Sequence, residues 1–281
     1  MGVFRFKKFN VVNERSAMKV NTDGVLLGAA MTIMPEDRHL LDIGTGTGTI
    51  ALMAAQRLVG KIPGQAGNDG RYAGNDGRYA GNDRGCAGND GRYAGNDGAQ
   101  AESEVRIDAI DIDEPSAAEA AVNFEQSPWA QHLRAYNTSL DQFASETDTK
   151  YDLIFSNPPY FEDSLTAPDE RKSTARHTSD GLSYRDIFEF AKCRLADEGR
   201  VAFVLPADQE ASLCRYGRMC GMHLFRILRI RTVPRKAPTR IVAEFSRQRC
   251  ECVKDEILTI QNEGQYTEEY LSLTREFYLF A

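Results

Sequence analysis

The short segment Ser156–Tyr160, with the sequence Ser-Asn-Pro-Pro-Tyr, combines groups that could hold a planar amine. It follows the apolar run 151–155, which predicts a buried parallel strand. Two consecutive prolines fix φ and supply no N–H, so the chain must leave the strand in a fixed, extended turn. Two acceptors, the side-chain oxygen of Asn157 and the carbonyl oxygen of Pro158, would then lie beside the ring of Tyr160. This arrangement suits an amine such as the exocyclic nitrogen of adenine. The alternative is an ordinary turn, since Asn and Pro are common in turns.

A glycine-rich turn lies between a predicted strand, His39–Ile43, and a predicted helix, Thr49–Leu58. A strand, a glycine turn and a helix in this order are typical of a nucleotide-binding crevice. A dinucleotide fingerprint would need glycine at position 49, which is Thr49. The observed pattern is Asp-x-Gly-x-Gly-x-Gly, and it starts at Asp42. Its glycines, which let the backbone approach a ligand closely, are Gly44, Gly46 and Gly48.

An acidic residue ends the next predicted strand, Val105–Asp111, before a helix that runs through Phe124. A carboxylate at this place can accept hydrogen bonds from both hydroxyls of a ribose. Asp111 is the better candidate, because Asp113 already lies in the turn. The alternative is that both acids cap the helix that follows.

The other segments predict how these candidates are positioned. Residues 1–35 are predicted as an amino-terminal cap segment with a helix whose N-cap is Thr22 or Asp23 and which Pro35 ends. Residues 60–102 interrupt the pattern, and from Ala66 the sequence Ala-Gly-Asn-Asp-Gly-Arg-Tyr repeats five times with variations. Its low apolar content predicts a disordered surface insertion. The polar loop 161–183 is either a lid or a solvated connection. Further elements are predicted as a strand at 132–135, a helix at 184–195, a strand at 199–206, a helix at 207–219, strands at 224–231 and 241–246, and a final edge strand and short helix.

Composition indicates a soluble globular protein, with 281 residues, 42% hydrophobic and 27% charged. The absence of a long apolar run and of a signal-peptide core predicts a cytoplasmic protein without a membrane segment. The six cysteines lack metal-ligand spacing, which favours a reduced, metal-free protein. The net charge of −7 does not indicate nucleic-acid binding, but residues 226–240 contain six basic side chains and no acidic one. This stretch, with Arg235 and Lys236 near its centre, either meets phosphates or is simply a solvated face.

Taken together, these motifs resemble the bacterial tRNA (adenine-N6)-methyltransferases that modify the adenine at position 37 of a valine tRNA. The resemblance rests on four segments: 18–28, 41–48, 157–161 and 276–279. The glycine motif and the Asn-Pro-Pro-Tyr turn are shared by many class I methyltransferases that use S-adenosylmethionine. The amino-terminal segment 18–28 narrows the resemblance to this family.

The resemblance implies a single α/β domain, 1–281, built on a Rossmann-like sheet with helices on both faces. The sheet is expected to be mostly parallel with one antiparallel edge strand. The protein is expected to be a monomer that binds tRNA. The implied residues that bind S-adenosylmethionine are Asp42, Gly44, Gly46, Gly48, Asp111 and Asn157. The implied catalytic residues are Asn157, Pro158 and Tyr160, and those that bind the substrate are Tyr160, Phe161, Arg235 and Lys236.

One position departs from the family pattern. Methyltransferases often carry an acid near the adenine of the cofactor, where this chain has Ser139, and Asp141 is expected to lie one turn too late. Two other acceptors remain open for the same turn, a glutamine amide in a protein and a guanine amine in ribosomal RNA. A non-catalytic RNA-binding protein is the alternative from another functional class.

Overall fold

The computed structural model describes residues 2–61, 104–159 and 181–280. Several predicted features lie outside these ranges. They are Tyr160, Phe161, all of the seven-residue repeats and most of the polar loop at 161–183.

The described residues form strands and helices connected mostly by short turns. The strands are β1 (Val3–Arg5), β2 (Asn10–Val12), β3 (His39–Ile43), β4 (Arg106–Asp111), β5 (Leu133–Asn137), β6 (Tyr151–Ser156), β7 (Leu195–Pro206), β8 (His223–Arg231), β9 (Arg240–Ser246), β10 (Lys254–Thr259), β11 (Gln261–Asn262) and β12 (Gln265–Tyr266). The helices are α1 (Thr22–Ala30), α2 (Thr49–Leu58), α3 (Glu114–Glu125), α4 (Leu140–Glu146), α5 (Tyr184–Arg194), α6 (Glu210–Met219) and α7 (Glu268–Thr274). Short 3-10 turns occupy Val59–Lys61, Ala130–His132 and Ala207–Gln209.

Eight of the described strands form one sheet in the order β10-β8-β9-β7-β6-β3-β4-β5. All neighbouring pairs are parallel except those made by β9, which is antiparallel to both β7 and β8. The mostly parallel sheet is confirmed, but the prediction that its antiparallel strand lies at the edge is wrong. The short 232–239 connection folds β9 back against β8 as a hairpin, and this places β9 between β8 and β7. The edge beyond β8 is taken by the parallel strand β10.

Helices cover both faces of the sheet, as predicted. Alternate residues of the central strands point to opposite faces, so Leu40 and Leu153 belong to one apolar cluster while Leu41 and Ile154 belong to the other. The buried side chains of α1, α2, α3 and α7 pack in the first cluster. Those of α4, α5 and α6 pack in the second. This two-sided burial explains why the strands read as continuous apolar runs.

Helix α1 differs from its prediction at both ends. Its N-cap is Asn21, whose extended backbone lets the side-chain oxygen accept the N–H of Gly24 at 2.8 Å. Asp23 instead pairs with Arg240. The helix ends at Ala30, well before Pro35, because Met31 already has extended dihedrals.

Other predicted elements are present with shifted boundaries. The third strand of the first half extends from Leu133 to Asn137, and the predicted helix after β7 starts with a 3-10 turn before α6. The final edge strand and short helix are β10 and α7, separated by the small β11–β12 hairpin.

Candidate active site

The two central strands of the sheet place the glycine turn beside the Asn-Pro-Pro turn. Strands β3 and β6 are parallel neighbours, with Asp42 paired to Phe155. The chain leaves β3 toward β4 and β5 and later leaves β6 toward β7, so their carboxyl ends form the topological switch point where α/β sheets bind ligands. The hydroxyl of Ser156 donates to the carbonyl oxygen of Ile43 at 2.6 Å. The two turns are therefore tied to each other directly.

The glycine turn needs glycine for both conformation and space. Gly44, Gly46 and Gly48 have φ of 72°, 57° and 78°, in the region that side chains other than glycine rarely adopt. A Cβ on Gly48 would come within 2.5 Å of the Phe124 ring. Helix α3 therefore packs against the start of α2 only because position 48 has no side chain.

Asp42 lies fully buried beneath this turn. Its Oδ2 accepts the hydroxyl of Thr45 at 2.7 Å, whereas its Oδ1 has no hydrogen-bond partner among the described residues. Burial, with a smaller contribution from the nearby charge of Asp111, raises the pKa of Asp42 to about 7. A buried acceptor without a donor is costly in a folded protein, and this one lies behind the glycine turn in a fully enclosed position.

The two acids after β4 have different roles. Asp111 accepts the N–H of Gly46 at 2.8 Å and that of Asp113 at 2.9 Å, and burial raises the pKa of its carboxyl. Asp113 accepts the N–H of Ser116 at 3.0 Å and is the N-cap of α3. The capping alternative is thus correct for Asp113 only. Asp111 holds the glycine turn and faces the cavity described next.

A cavity of about 680 Å3 opens at this edge of the sheet. This volume lies in the range of roughly 300–1,000 Å3 usual for small-molecule sites. It brings together the ends of four strands, and its lining residues include Gly44, Gly46, Asp111, Ser139, Asp141, Asn157 and Pro159. Asp42 and Gly48 support the wall from behind. Ser139 also caps α4 through the N–H of Gln142, and Asp141 borders the cavity although the sequence placed it one turn too late.

Ile112 is a lining residue that sequence reasoning missed. Its side chain is 76% exposed, yet it forms part of the cavity wall. The signal was an apolar residue between two acids at a strand end, where a polar turn residue is more usual. An exposed isoleucine at this point offers an apolar surface to a flat ring.

The amino-terminal segment also borders the cavity, through Ala17 and Met18. It is fixed to α3 by Glu119, whose carboxylate accepts three consecutive backbone N–H groups, those of Glu14, Arg15 and Ser16, at 2.7–3.0 Å. Burial alone would raise the pKa of Glu119, but these three donors hold it below its usual range. The sequence indicated a capped helix in this segment but gave no sign of its contact with Glu119.

Asn157 lies 5% exposed at the cavity, directly after β6. Its Nδ2 donates to the sulfur of Met18 at 3.5 Å. Pro158 is buried and Pro159 is exposed at the cavity wall. The predicted roles of Tyr160 and Phe161 fall on residues outside the described ranges.

Most of the basic stretch 226–240 serves the fold. Arg226 pairs with the buried Glu244 at 2.6 Å, and Arg229 pairs with Glu210 and Asp255. By contrast, Arg235 and Lys236 are exposed in the turn between β8 and β9. This turn follows the carboxyl end of β8, which is parallel to β7, so it lies on the same edge of the sheet as the cavity.

Comparisons with known proteins agree with this geometry. The family model of the RMKL-like methyltransferase domain (UPF0020) matches residues 27–215. A tRNA1(Val) (adenine(37)-N6)-methyltransferase from Parabacteroides distasonis is 36% identical over 277 residues, which cover 98% of this chain and 97% of that protein. This chain belongs to the tRNA1(Val) (adenine(37)-N6)-methyltransferase family. A second relative of that name, from Flavobacterium psychrophilum, is 32% identical with 99% of each chain covered.

Among solved structures, a predicted O-methyltransferase from Agrobacterium tumefaciens has the same fold, with a TM-score of 0.54 at 12% identity and coverage of 91% and 96% of the two chains. The chain is thus a class I methyltransferase, and S-adenosylmethionine is its methyl donor. The cavity fits this cofactor, since its wall includes the glycine turn and the carboxylate of Asp111 at the end of β4.

Two further findings concern the described ranges. No group of three or more His, Cys, Asp or Glu side chains is arranged there to hold a metal ion. No helix in the same ranges combines the length and apolar character needed to cross a membrane.

Proposed function

We propose that this protein transfers a methyl group from S-adenosylmethionine to N6 of the adenine at position 37 of a valine tRNA. The observation that carries the proposal is that Asn157 and Asp111 border the same cavity, at the switch point between β3 and β6. The relatives named above supply the substrate, since both are called tRNA1(Val) (adenine(37)-N6)-methyltransferases.

The cofactor is assigned to the part of the cavity between β3 and β4. Asp111 would accept hydrogen bonds from the ribose hydroxyls of S-adenosylmethionine. The glycine turn would pass close to the methionine part of the cofactor. Asp42, beneath the turn, would favour the positively charged ammonium group of that end. Ile112 would form an apolar wall for the adenine ring.

The acceptor amine is assigned to the part of the cavity beside β6. An adenine amino nitrogen is a weak nucleophile because its lone pair is delocalised into the ring. Hydrogen bonds from its two N–H groups to the oxygens of Asn157 and Pro158 would favour a pyramidal nitrogen as positive charge develops. Tyr160, with Phe161 beside it, is assigned to stack on the base once it leaves the anticodon loop. When bound, S-adenosylmethionine supplies an already activated methyl group, so the protein mainly orients the acceptor toward it.

The exposed pair Arg235 and Lys236 is assigned to the tRNA backbone. Phosphate contacts position a nucleic acid without reading its sequence, and these side chains lie on the edge of the sheet that carries the cavity. We further propose that the chain acts as a monomeric, single-domain enzyme in the cytoplasm.

The test is methyl transfer from labelled S-adenosylmethionine to unmodified total RNA, followed by identification of the labelled nucleoside. We expect N6-methyladenosine in a valine tRNA, and no label in a transcript with guanine at position 37. Label in a ribosomal RNA guanine or in a protein glutamine would instead assign one of the other acceptors. No transfer to any of them would favour a non-catalytic RNA-binding protein.

A variant of Asn157 tests the mechanism within the same assay. Asn157→Ala removes an acceptor that acts on the reacting amine, so kcat is expected to fall by about a hundredfold or more. Asn157 is also among the residues expected to bind the cofactor, but most cofactor contacts are assigned to the glycine turn and Asp111. The cofactor dissociation constant, measured by calorimetry, should therefore change far less than kcat. Full activity in this variant would rule out the assigned role of Asn157.

A further inference from the structure

The amide of Asn157 has two chemically different ends, and only one of them suits the proposed reaction. Its Oδ1 accepts hydrogen bonds, whereas its Nδ2 donates them. An acceptor amine that donates both N–H groups needs Oδ1, and a carboxamide turned by 180° would present a donor to a donor. Some group in the protein must therefore select one orientation of this side chain.

Met18 is placed to make that selection. Its sulfur lies 3.5 Å from Nδ2 of Asn157, and both residues border the cavity. A thioether sulfur is an acceptor and carries no hydrogen to donate, so it attracts the Nδ2 end and gives nothing to the Oδ1 end. With Nδ2 held toward Met18, Oδ1 points away from it.

The position of Met18 is itself fixed by distant parts of the chain. Glu119 of α3 binds the backbone N–H groups of residues 14–16, two residues before Met18. The hydroxyl of Ser16 donates to the carbonyl oxygen of Met18 at 3.0 Å and also accepts from the hydroxyl of Ser116 at 2.9 Å. On the other side, Asn21 starts α1 three residues later. Met18 is thus held between two anchored elements.

We propose that Met18 is a positioning residue that sets which end of the Asn157 carboxamide faces the acceptor amine. The inference rests on the proposed function, because it concerns the orientation of the group that receives the substrate. It assigns a role in the chemical step to a segment that otherwise only closes the cavity.

The matched pair for a test is Met18→Leu and Met34→Leu. Leucine keeps the size and apolar character of methionine and removes the sulfur acceptor. Met18 and Met34 are both 37% exposed, but Met34 follows α1 at the amino-terminal side of β3 and does not border the cavity. We expect Met18→Leu to lower kcat by about three- to tenfold, the usual range for one lost hydrogen bond. KM for tRNA, the cofactor dissociation constant and the melting temperature should change little, and Met34→Leu should match the unaltered protein.

A spectroscopic measurement separates this role from a packing effect. The side-chain amide resonances of Asn157 are identified by their loss in Asn157→Asp, and they should shift in Met18→Leu but not in Met34→Leu. Unchanged resonances, or an unchanged kcat, would overturn the inference. So would a weaker cofactor affinity with kcat intact, because Met18 would then only line the cavity. If the unaltered protein methylates no tRNA, the proposed function fails, and the resonances still decide the orientation of Asn157.

Discussion

The raised pKa of Asp42 predicts that cofactor affinity depends on pH. The carboxyl is fully buried, and burial raises its pKa from 3.8 to about 7. Below pH 7 it is therefore mostly protonated in the protein without cofactor. A bound ammonium group favours the ionised carboxylate, so binding must release a proton in this range. Affinity should then rise as the pH increases toward 7.

The size of the effect follows from the fraction of Asp42 that is ionised. With a pKa of about 7, the ionised fraction grows roughly 15-fold between pH 5.5 and pH 7, and the dissociation constant should fall by a similar factor. Calorimetry in buffers of different ionisation enthalpy gives both the affinity and the number of protons released. Asp42→Asn should bind the cofactor more weakly at pH 7, and its affinity should depend little on pH. The dissociation constants of the two proteins should therefore become similar near pH 5.5.

The same group predicts the pH dependence of stability without cofactor. The folded protein holds a proton on Asp42 that the unfolded chain has already lost above pH 4, so stability falls as the pH rises toward 7. The slope is about 1.4 kcal/mol per pH unit. Asp42→Asn has no proton to lose at this position. Its free energy of unfolding, measured by denaturation, should therefore not show this decrease with pH. Two results would refute the reasoning. One is a cofactor dissociation constant that does not change with pH in the unaltered protein. The other is a free energy of unfolding that falls with pH as steeply in Asp42→Asn as in the unaltered protein. Asp113→Asn is the control that should keep both dependences.

Three further predictions concern the neighbouring groups. Asp111→Asn should raise the cofactor dissociation constant about tenfold or more. Asp113→Ala should instead lower the melting temperature through its lost cap, worth ~1 kcal/mol, with a much smaller effect on binding. Equal effects on binding would contradict the different roles assigned to these acids. Glu119→Gln should destabilise the protein by ~2 kcal/mol and speed hydrogen exchange of the backbone amides at residues 14–16, and unchanged exchange would show that this carboxylate does not hold the segment. Replacing both Arg235 and Lys236 by alanine should weaken tRNA binding. The slope of log binding constant against log salt concentration should become shallower by roughly one unit per lost phosphate contact. The same double change at two exposed arginines of α6, positions 215 and 218, should alter neither quantity.

The parts of the site that the sequence predicted are those that depend on local chain chemistry. The apolar runs of β3, β4 and β6 and the turn residues after them locate the carboxyl ends of these strands. In a parallel sheet those ends share one edge, so the glycine turn, Asp111 and Asn157 could be placed near each other before any contact was known. The choice of Asp111 over Asp113 also followed from their positions relative to the strand end, since only Asp111 lies within β4.

The parts that the sequence did not predict depend on contacts between distant residues. The segment before α1 is held by Glu119, more than 100 residues away along the chain, and nothing in the segment itself indicates this partner. The internal position of β9 likewise depends on where β8 enters the sheet. The structural role of most of the basic stretch could not be predicted for the same reason, because Arg226 and Arg229 pair with acids on other strands and helices.

The carboxylates around the cavity separate into two physical classes. Glu119 receives three backbone donors, and its pKa lies below the usual range, so its charge is already satisfied by the protein. Asp42 is fully buried and accepts one hydroxyl, whereas Asp111 is half-buried and accepts two backbone N–H groups, and desolvation raises the pKa of both. A satisfied carboxylate stabilises the fold around it, whereas an under-satisfied one gains most when a ligand supplies donors or positive charge. The charge that anchors the amino-terminal segment and the charges proposed to receive the cofactor therefore belong to different acids. We expect the segment that carries Met18 to stay in place whether or not the cofactor is bound.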